Sequence, residues 1–115
     1  QADRAGIAKK YAVENYVFVV LKGAHTVIAA PDGKVFINTT GNPGMATAGT
    51  GDALAGMIGG LLAQGISPEK AAIAAVYLHG LAGDMVRDEK GEYGIMATDV
   101  IEKIPLAIKK VAGGG

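Results

Sequence analysis

The sequence predicts an α/β domain, and three observations carry that expectation. Residues 16–21, YVFVVL, form a continuous β-branched and aromatic run. Residues 26–30 and 34–38 are two further apolar runs joined by Pro31-Asp32-Gly33. Beyond a glycine-rich stretch the chain turns to Ala- and Leu-rich segments of helical length. A short uninterrupted apolar run suits a strand buried on both faces, as in the parallel sheet of an α/β domain. A Pro-Asp-Gly signal between two such runs predicts a β-hairpin over 26–38. At 115 residues, half of them apolar, the chain has the material for one core.

Taken in order, residues 3–14 predict a helix. Ile7, Ala8, Tyr11 and Ala12 recur at helical spacing, and Arg4, Lys9, Lys10 and Glu14 stand elsewhere. The first strand ends at Lys22-Gly23-Ala24-His25, and the hairpin follows. Residues 52–64 predict a helix that is apolar all round and is therefore expected to be buried. Gly56 and Gly60, four apart, read as a face that packs closely on the sheet and not as a membrane dimer face. Gly65 is the expected end of that helix. Ser67-Pro68-Glu69 opens the next, with an N-cap, a proline at the first helical position and an acid in the first turn. That helix runs to about Arg87 and carries His79 and Asp84. Five residues apart, these two share a face poorly and read as structural or as a pocket edge. Residues 88–91 form a solvated turn. Asp99 with Glu102 gives a capping signal for a last helix over 100–111, with a kink expected at Pro105.

Composition narrows the partners. Eleven basic and eleven acidic residues balance, so neither a nucleic acid nor a membrane surface is attracted by bulk charge. The absence of Cys removes disulfides, thiolate nucleophiles and Cys-based metal sites, and it fits a reducing cytoplasm. No signal peptide and no apolar run of membrane-spanning length is present. The opening QADRAGIAKKYAVEN reads like the middle of a helical segment, and Gly113-Gly114-Gly115 reads like a tail. Both predict a piece of a longer protein.

The chemistry concentrates in residues 41–56, GNPGMATAGTGDALAG, where five of sixteen residues are Gly. A strand-like run precedes it and a helix-like run follows, so its free amides and the positive helix end point the same way. No Lys follows a Gly at the Walker A position, and the loop is too long for a dinucleotide fingerprint. What remains is a Gly-Thr-Gly-Asp turn whose amides around Ala48, Gly49, Thr50 and Gly51 can converge on an oxygen gaining negative charge. Asp52 at its mouth reads either as a base for a substrate hydroxyl or as an N-cap of the helix. Lys22, at a strand end beside Gly23, reads either as a point charge for a phosphate or as a surface lysine. His25 and Thr26 are polar neighbours of equally open use.

The 41–56 stretch resembles the signature of the ADP- or ATP-dependent NAD(P)H-hydrate dehydratases of the ribokinase-like superfamily. Residues 21–26, LKGAHT, resemble that family's nucleotide-contact segment. Residues 94–102, GIMATDVIE, resemble the start of its last helix. One departure is Ala48, which stands where the family usually has a second Gly before Gly49. The resemblance implies the C-terminal part of a ribokinase-like three-layer α/β fold, a strand plus a β-hairpin followed by three helices. It assigns residues 1–112 to that portion and leaves 113–115 as a Gly tail.

On the same resemblance, hydrated NADH or NADPH is repaired. ADP or ATP phosphorylates the ring hydroxyl and phosphate is then eliminated, with Mg2+ allowed as a companion of the nucleotide. Asp52 would act on the substrate hydroxyl. Ala48, Gly49, Thr50 and Gly51 would form the anion hole for the transferring phosphoryl group. Lys22, Gly23, Ala24, His25, Thr26 and Gly51 would contact the adenine nucleotide. Family domains are more than twice this length, so the resemblance implies an incomplete site in this chain alone. It implies as well a partner in a missing N-terminal half or in a second copy. Two alternatives stay open: a ribokinase-like small-molecule kinase, and an inactive, self-associating structural fragment.

Overall fold

The computed structural model describes residues 3–23, 25–46 and 49–113. Helix α1 (Arg4–Asn15) leads into a three-stranded sheet of β1 (Val19–Leu21), β2 (Val27–Ala29) and β3 (Val35–Ile37). Helices α2 (Thr50–Ala63), α3 (Pro68–Lys90) and α4 (Ala97–Ala112) follow. The sheet order is β1-β2-β3, both pairs antiparallel, with Ile28 opposite Val20 on one side and Phe36 on the other.

Alternation along β2 builds three layers, because neighbouring strand residues face opposite sides. Val27 and Ala29 pack on Ala8 and Ala12 of α1. Ile28 points the other way, into a cluster with Leu54 of α2 and Ala72, Ala75 and Val76 of α3. A further cluster of Ala82, Val86, Ile95, Val100 and Ala107 joins α3 to α4. Lys90 pairs with Asp99 at 3.0 Å across that junction, and Lys103 pairs with Glu89.

The local signals at the α2–α3 junction are realised. Gly65, at φ 87°, follows the last turn of α2, and the amides of Gly65 and Ile66 return to the carbonyls of Leu62 and Leu61. Ser67 caps α3, its hydroxyl accepting from the Lys70 amide, and Pro68 takes the first helical position. Asp32 and Gly33 close the hairpin, with the Lys34 amide donating to the Asp32 carboxylate at 3.0 Å.

Four expectations are corrected. The first strand is only Val19–Leu21, half-buried and antiparallel, not a doubly buried parallel strand over 16–21. Tyr16 belongs to the left-handed turn that ends α1 and is 81% exposed. Among the described residues β1 pairs only with β2, so its other edge carries no strand. On α1 the alanines carry the packing, while Ile7 and Tyr11 face out.

Helix α2 is the larger correction. It is apolar all round, yet only Thr50 and Leu54 are buried, and a Cβ placed on Gly56 or Gly60 would meet nothing within 4 Å. These glycines do not pack on the sheet in this chain. Finally, α4 begins at Ala97, three residues before its expected start. Asp99 sits in its first turn and accepts from the Met96 amide at 2.9 Å instead of capping from outside. That bond, followed by the Lys90 ammonium, holds the Asp99 carboxyl below its ordinary value.

Candidate functional site

A cavity of about 790 Å³ opens where the end of β1, the glycine-rich loop, the N-terminus of α2 and the middle of α3 meet. The loop reaches it because α3 holds the loop's first half in place. Asn38 donates to the carbonyl and the hydroxyl of Thr40, both at 3.0 Å, and the Thr40 hydroxyl donates to the Tyr77 carbonyl at 2.9 Å. Asp84 accepts from the Gly41 amide at 3.0 Å with one oxygen and from the Asn42 side chain at 2.9 Å with the other. Asn42 in turn accepts from the Gly44 amide at 3.0 Å and starts a 3-10 turn, Pro43–Met45. At Gly80 the approach is close enough to require glycine, since the Thr40 backbone lies against it. A Cβ on Gly80 would run into Thr40, and one on Gly83 into Met45.

The second half of the loop delivers the N-terminus of α2. Gly49, at φ 92°, is the N-cap and supplies no side-chain cap; the left-handed conformation there favours glycine. Thr50 is buried, and its hydroxyl donates to the Met45 carbonyl at 2.7 Å. The first helical hydrogen bond runs from the Ala53 amide to the Gly49 carbonyl, so the Gly51 and Asp52 amides precede the ladder at the positive helix end. Lys22 comes to the same place from the end of β1. A Cβ on Gly51 would lie 2.5 Å from its Nζ. An ammonium and a helix N-terminus of the same sign therefore converge on one wall, and an anion between them satisfies both.

Asp52 stands in the first turn of α2, exposed on the cavity wall. The cap position belongs to Gly49, and among the described residues the Asp52 carboxylate takes no hydrogen bond or ion pair. It is the one carboxylate on the wall among the described residues. His79 forms part of the floor. It is 8% exposed, and its buried Nε2 has no hydrogen-bond partner among the described residues. Burial lowers its pKa, contact with the Thr50 backbone opposes that, and the Lys22 charge lowers it further. Burial and the Lys22 charge both favour the uncharged imidazole.

Of the residues expected at a site, Lys22, Gly23, Thr26, Gly49, Thr50, Gly51 and Asp52 all line this cavity. His25 is on the neighbouring turn and exposed, away from the lining. Ala24 and Ala48 lie outside the described residues. Asp84 has the structural role the sequence allowed it, whereas sequence reasoning missed its fellow supports, Thr40 and Asn42. The readable signal for them was the pair Gly80 and Gly83 on one helix, which marks a chain lying close against it.

The layers and the cavity define the class, the C-terminal part of a ribokinase-like α/β fold. A ribokinase-like superfamily protein of Enterococcus faecalis superposes with a TM-score of 0.74 at 42% identity over 89% of this chain. Within that class the chain belongs to the NAD(P)H-hydrate dehydratase family, whose model matches residues 1–106.

Among curated relatives it is 51% identical to the bifunctional NAD(P)H-hydrate repair enzyme of Moorella thermoacetica, over 96% of this chain and 21% of that protein. It is 41% identical to the ADP-dependent (S)-NAD(P)H-hydrate dehydratase of Bacillus subtilis, over 96% of this chain and 40% of that one. The crystal structure of the Bacillus subtilis ADP/ATP-dependent NAD(P)H-hydrate dehydratase, co-crystallized with ATP/Mg2+, matches with a TM-score of 0.91 over 96% of this chain and 40% of that chain. The chain thus spans well under half the length of these relatives.

Proposed function

We propose that this chain carries the nucleotide site and the catalytic loop of an ADP- or ATP-dependent dehydratase that repairs hydrated NADH or NADPH. One observation carries the reading: the Lys22 ammonium and the α2 N-terminus meet on a cavity wall that also presents Asp52, whose carboxylate takes no partner among the described residues. Lys22, Gly23, Thr26 and Gly51 hold the phosphates of the nucleotide, with Ala24 and His25 on the same segment. Gly49, Thr50 and Gly51, with Ala48 before them, stabilise the phosphoryl group in transfer. Asp52 takes the proton of the ring hydroxyl as its oxygen attacks phosphorus and the bond to the leaving nucleotide breaks. Elimination of phosphate, with loss of a proton from the neighbouring ring carbon, restores the double bond.

Mg2+ fits as a rider on the nucleotide. The ion is commonly held by one or two carboxylates plus substrate phosphates. Asp52 can offer one, and no cluster of three metal-ligating side chains occurs among the described residues. Residues 1–112 form the C-terminal portion of the catalytic domain on this reading, and 113–115 a tail. The strand-free edge of β1 among the described residues and the bare glycine face of α2 support pairing with a further segment or a second copy. No helix among the described residues is long and apolar enough to cross a membrane; a cytoplasmic location agrees with coenzyme repair and with the lack of Cys.

The test is a dehydratase assay with ADP, following the return of NADH absorbance, on the chain alone and with its complementary segment supplied. Restored NADH is the expected product in the complemented sample. A phosphorylated small alcohol with no NADH would make the protein a kinase, and no product in a verified complete complex would overturn both.

A further inference from the structure

Three carbonyl oxygens at the end of β1 turn toward one side chain on α1. The Arg4 guanidinium donates to the Leu21 and Lys22 carbonyls through Nη2 and to the His25 carbonyl through Nη1, all at 3.0 Å. The reach follows from helical spacing. Arg4, Ala8 and Ala12 stand four apart and share a face, and Ala8 and Ala12 are the residues that seat α1 on the sheet. Arg4 extends that face past the strand ends to the turn that carries Lys22. Gly23 makes room for it, since a Cβ there would fall onto the guanidinium, 2.7 Å from Cζ. Among the described residues Arg4 makes no ion pair, so its partners are carbonyls alone.

We infer that Arg4 is a positioning residue for the phosphate wall: by holding the carbonyls of Leu21, Lys22 and His25 it fixes the end of β1 so that the Lys22 ammonium is aimed at the N-terminus of α2. The inference rests on the nucleotide reading given above. A planar fork with several fixed donors can hold three carbonyls at once. A lysine ammonium keeps the charge without the fork and does not fix the turn in the same way. Gly23 and Arg4 thus form one device, although their numbers suggest no connection.

Calorimetric titration of ADP into the intact 115-residue chain tests it, with Arg4→Lys and Arg4→Ala beside the unchanged protein and thermal unfolding recorded for each. Both variants are expected to bind ADP about tenfold more weakly, equivalent to about 1.4 kcal/mol. Millimolar guanidinium is expected to restore most of the loss in Arg4→Ala. In the ligand-free chain, Arg4→Lys is expected to move the amide resonances of Lys22, Gly23, His25 and Gly51 and to leave those of α4 in place. Unchanged amide resonances in that turn, or unchanged ADP affinity in Arg4→Lys, overturn the inference while leaving the nucleotide reading intact. Weakening that tracks a lowered unfolding temperature and resists guanidinium makes Arg4 merely structural and also overturns it. Failure of the unchanged chain to bind ADP, with the resonance shifts present, overturns the nucleotide reading instead and reduces Arg4 to a brace of the turn.

Discussion

Helices α2 and α3 are both rich in Ala, Gly and Leu, yet they are buried to different extents. Along α3, nine residues from Ala71 to Val86 are buried, and Gly80 and Gly83 lie against the incoming loop. Along α2, burial stops at Thr50 and Leu54, and Gly56, Gly59 and Gly60 face open space. The difference teaches that α3 is the scaffold of the site and α2 its working end. The loop's first half is tied to α3 by satisfied side chains. Its second half presents a helix N-terminus and Asp52, without a partner among the described residues, to a cavity that Lys22 enters from the end of β1. Glycine has opposite meanings in the two helices, a close approach in α3 and a bare face in α2.

Substitutions at matching residues break the comparison most sharply. Gly80→Ala forces a methyl into Thr40 and is expected to destabilise the chain by about 2–3 kcal/mol, in the range of overpacking, seen as a lower urea midpoint. Asp84→Ala removes the acceptor for the Gly41 amide and the Asn42 side chain; about 2 kcal/mol should be lost. Cavity ligands should also bind less well, because the loop start is released. Gly60→Ala works in the other direction. With open space around it and a better helix former in place, a gain approaching about 1 kcal/mol is expected in the same unfolding experiment. A loss at Gly60 as large as that at Gly80 would mean that α2 is packed after all.

The smallest effect concerns the cavity floor. The His79 pKa is lowered in the folded chain, so the unfolded chain binds a proton first as pH falls below about 6.5. The stabilisation present above that pH is therefore lost progressively until the folded pKa is passed. Unfolding temperature should fall on acidification from pH 7.5 toward 5.5, and His79→Gln should flatten that part of the slope. An unchanged slope in the variant would assign the pH response to other groups.

Features closed by near neighbours were legible in the sequence. Gly65, Ser67-Pro68 and Asp32-Gly33 each complete a turn with residues a few positions away, and each is found in its expected role. The glycine-rich loop was legible as a strand-to-helix connection because its composition suits nothing else. The burial of α2 was not, since an apolar helix is enclosed only if something lies against it, and this chain supplies one side. The extent of β1 failed for the same reason: an apolar run states what a strand tolerates, not what covers it. Asp84 and Asn42 meet across 42 positions and Arg4 meets His25 across 21, distances over which no periodicity speaks. The roles of Asp52 and Lys22 were open in sequence, and the geometry sharpens both by giving the cap of α2 to Gly49 and bringing the Lys22 ammonium beside Gly51.

The account turns on phosphate recognition by Lys22 and the α2 N-terminus, and one titration addresses it. ADP and adenosine are compared by calorimetry on the unchanged chain and on Lys22→Ala. ADP should bind more tightly than adenosine, and Lys22→Ala should remove about tenfold of the ADP affinity while leaving adenosine unaffected. Equal binding of ADP and adenosine, or an ADP affinity indifferent to Lys22, would contradict the account.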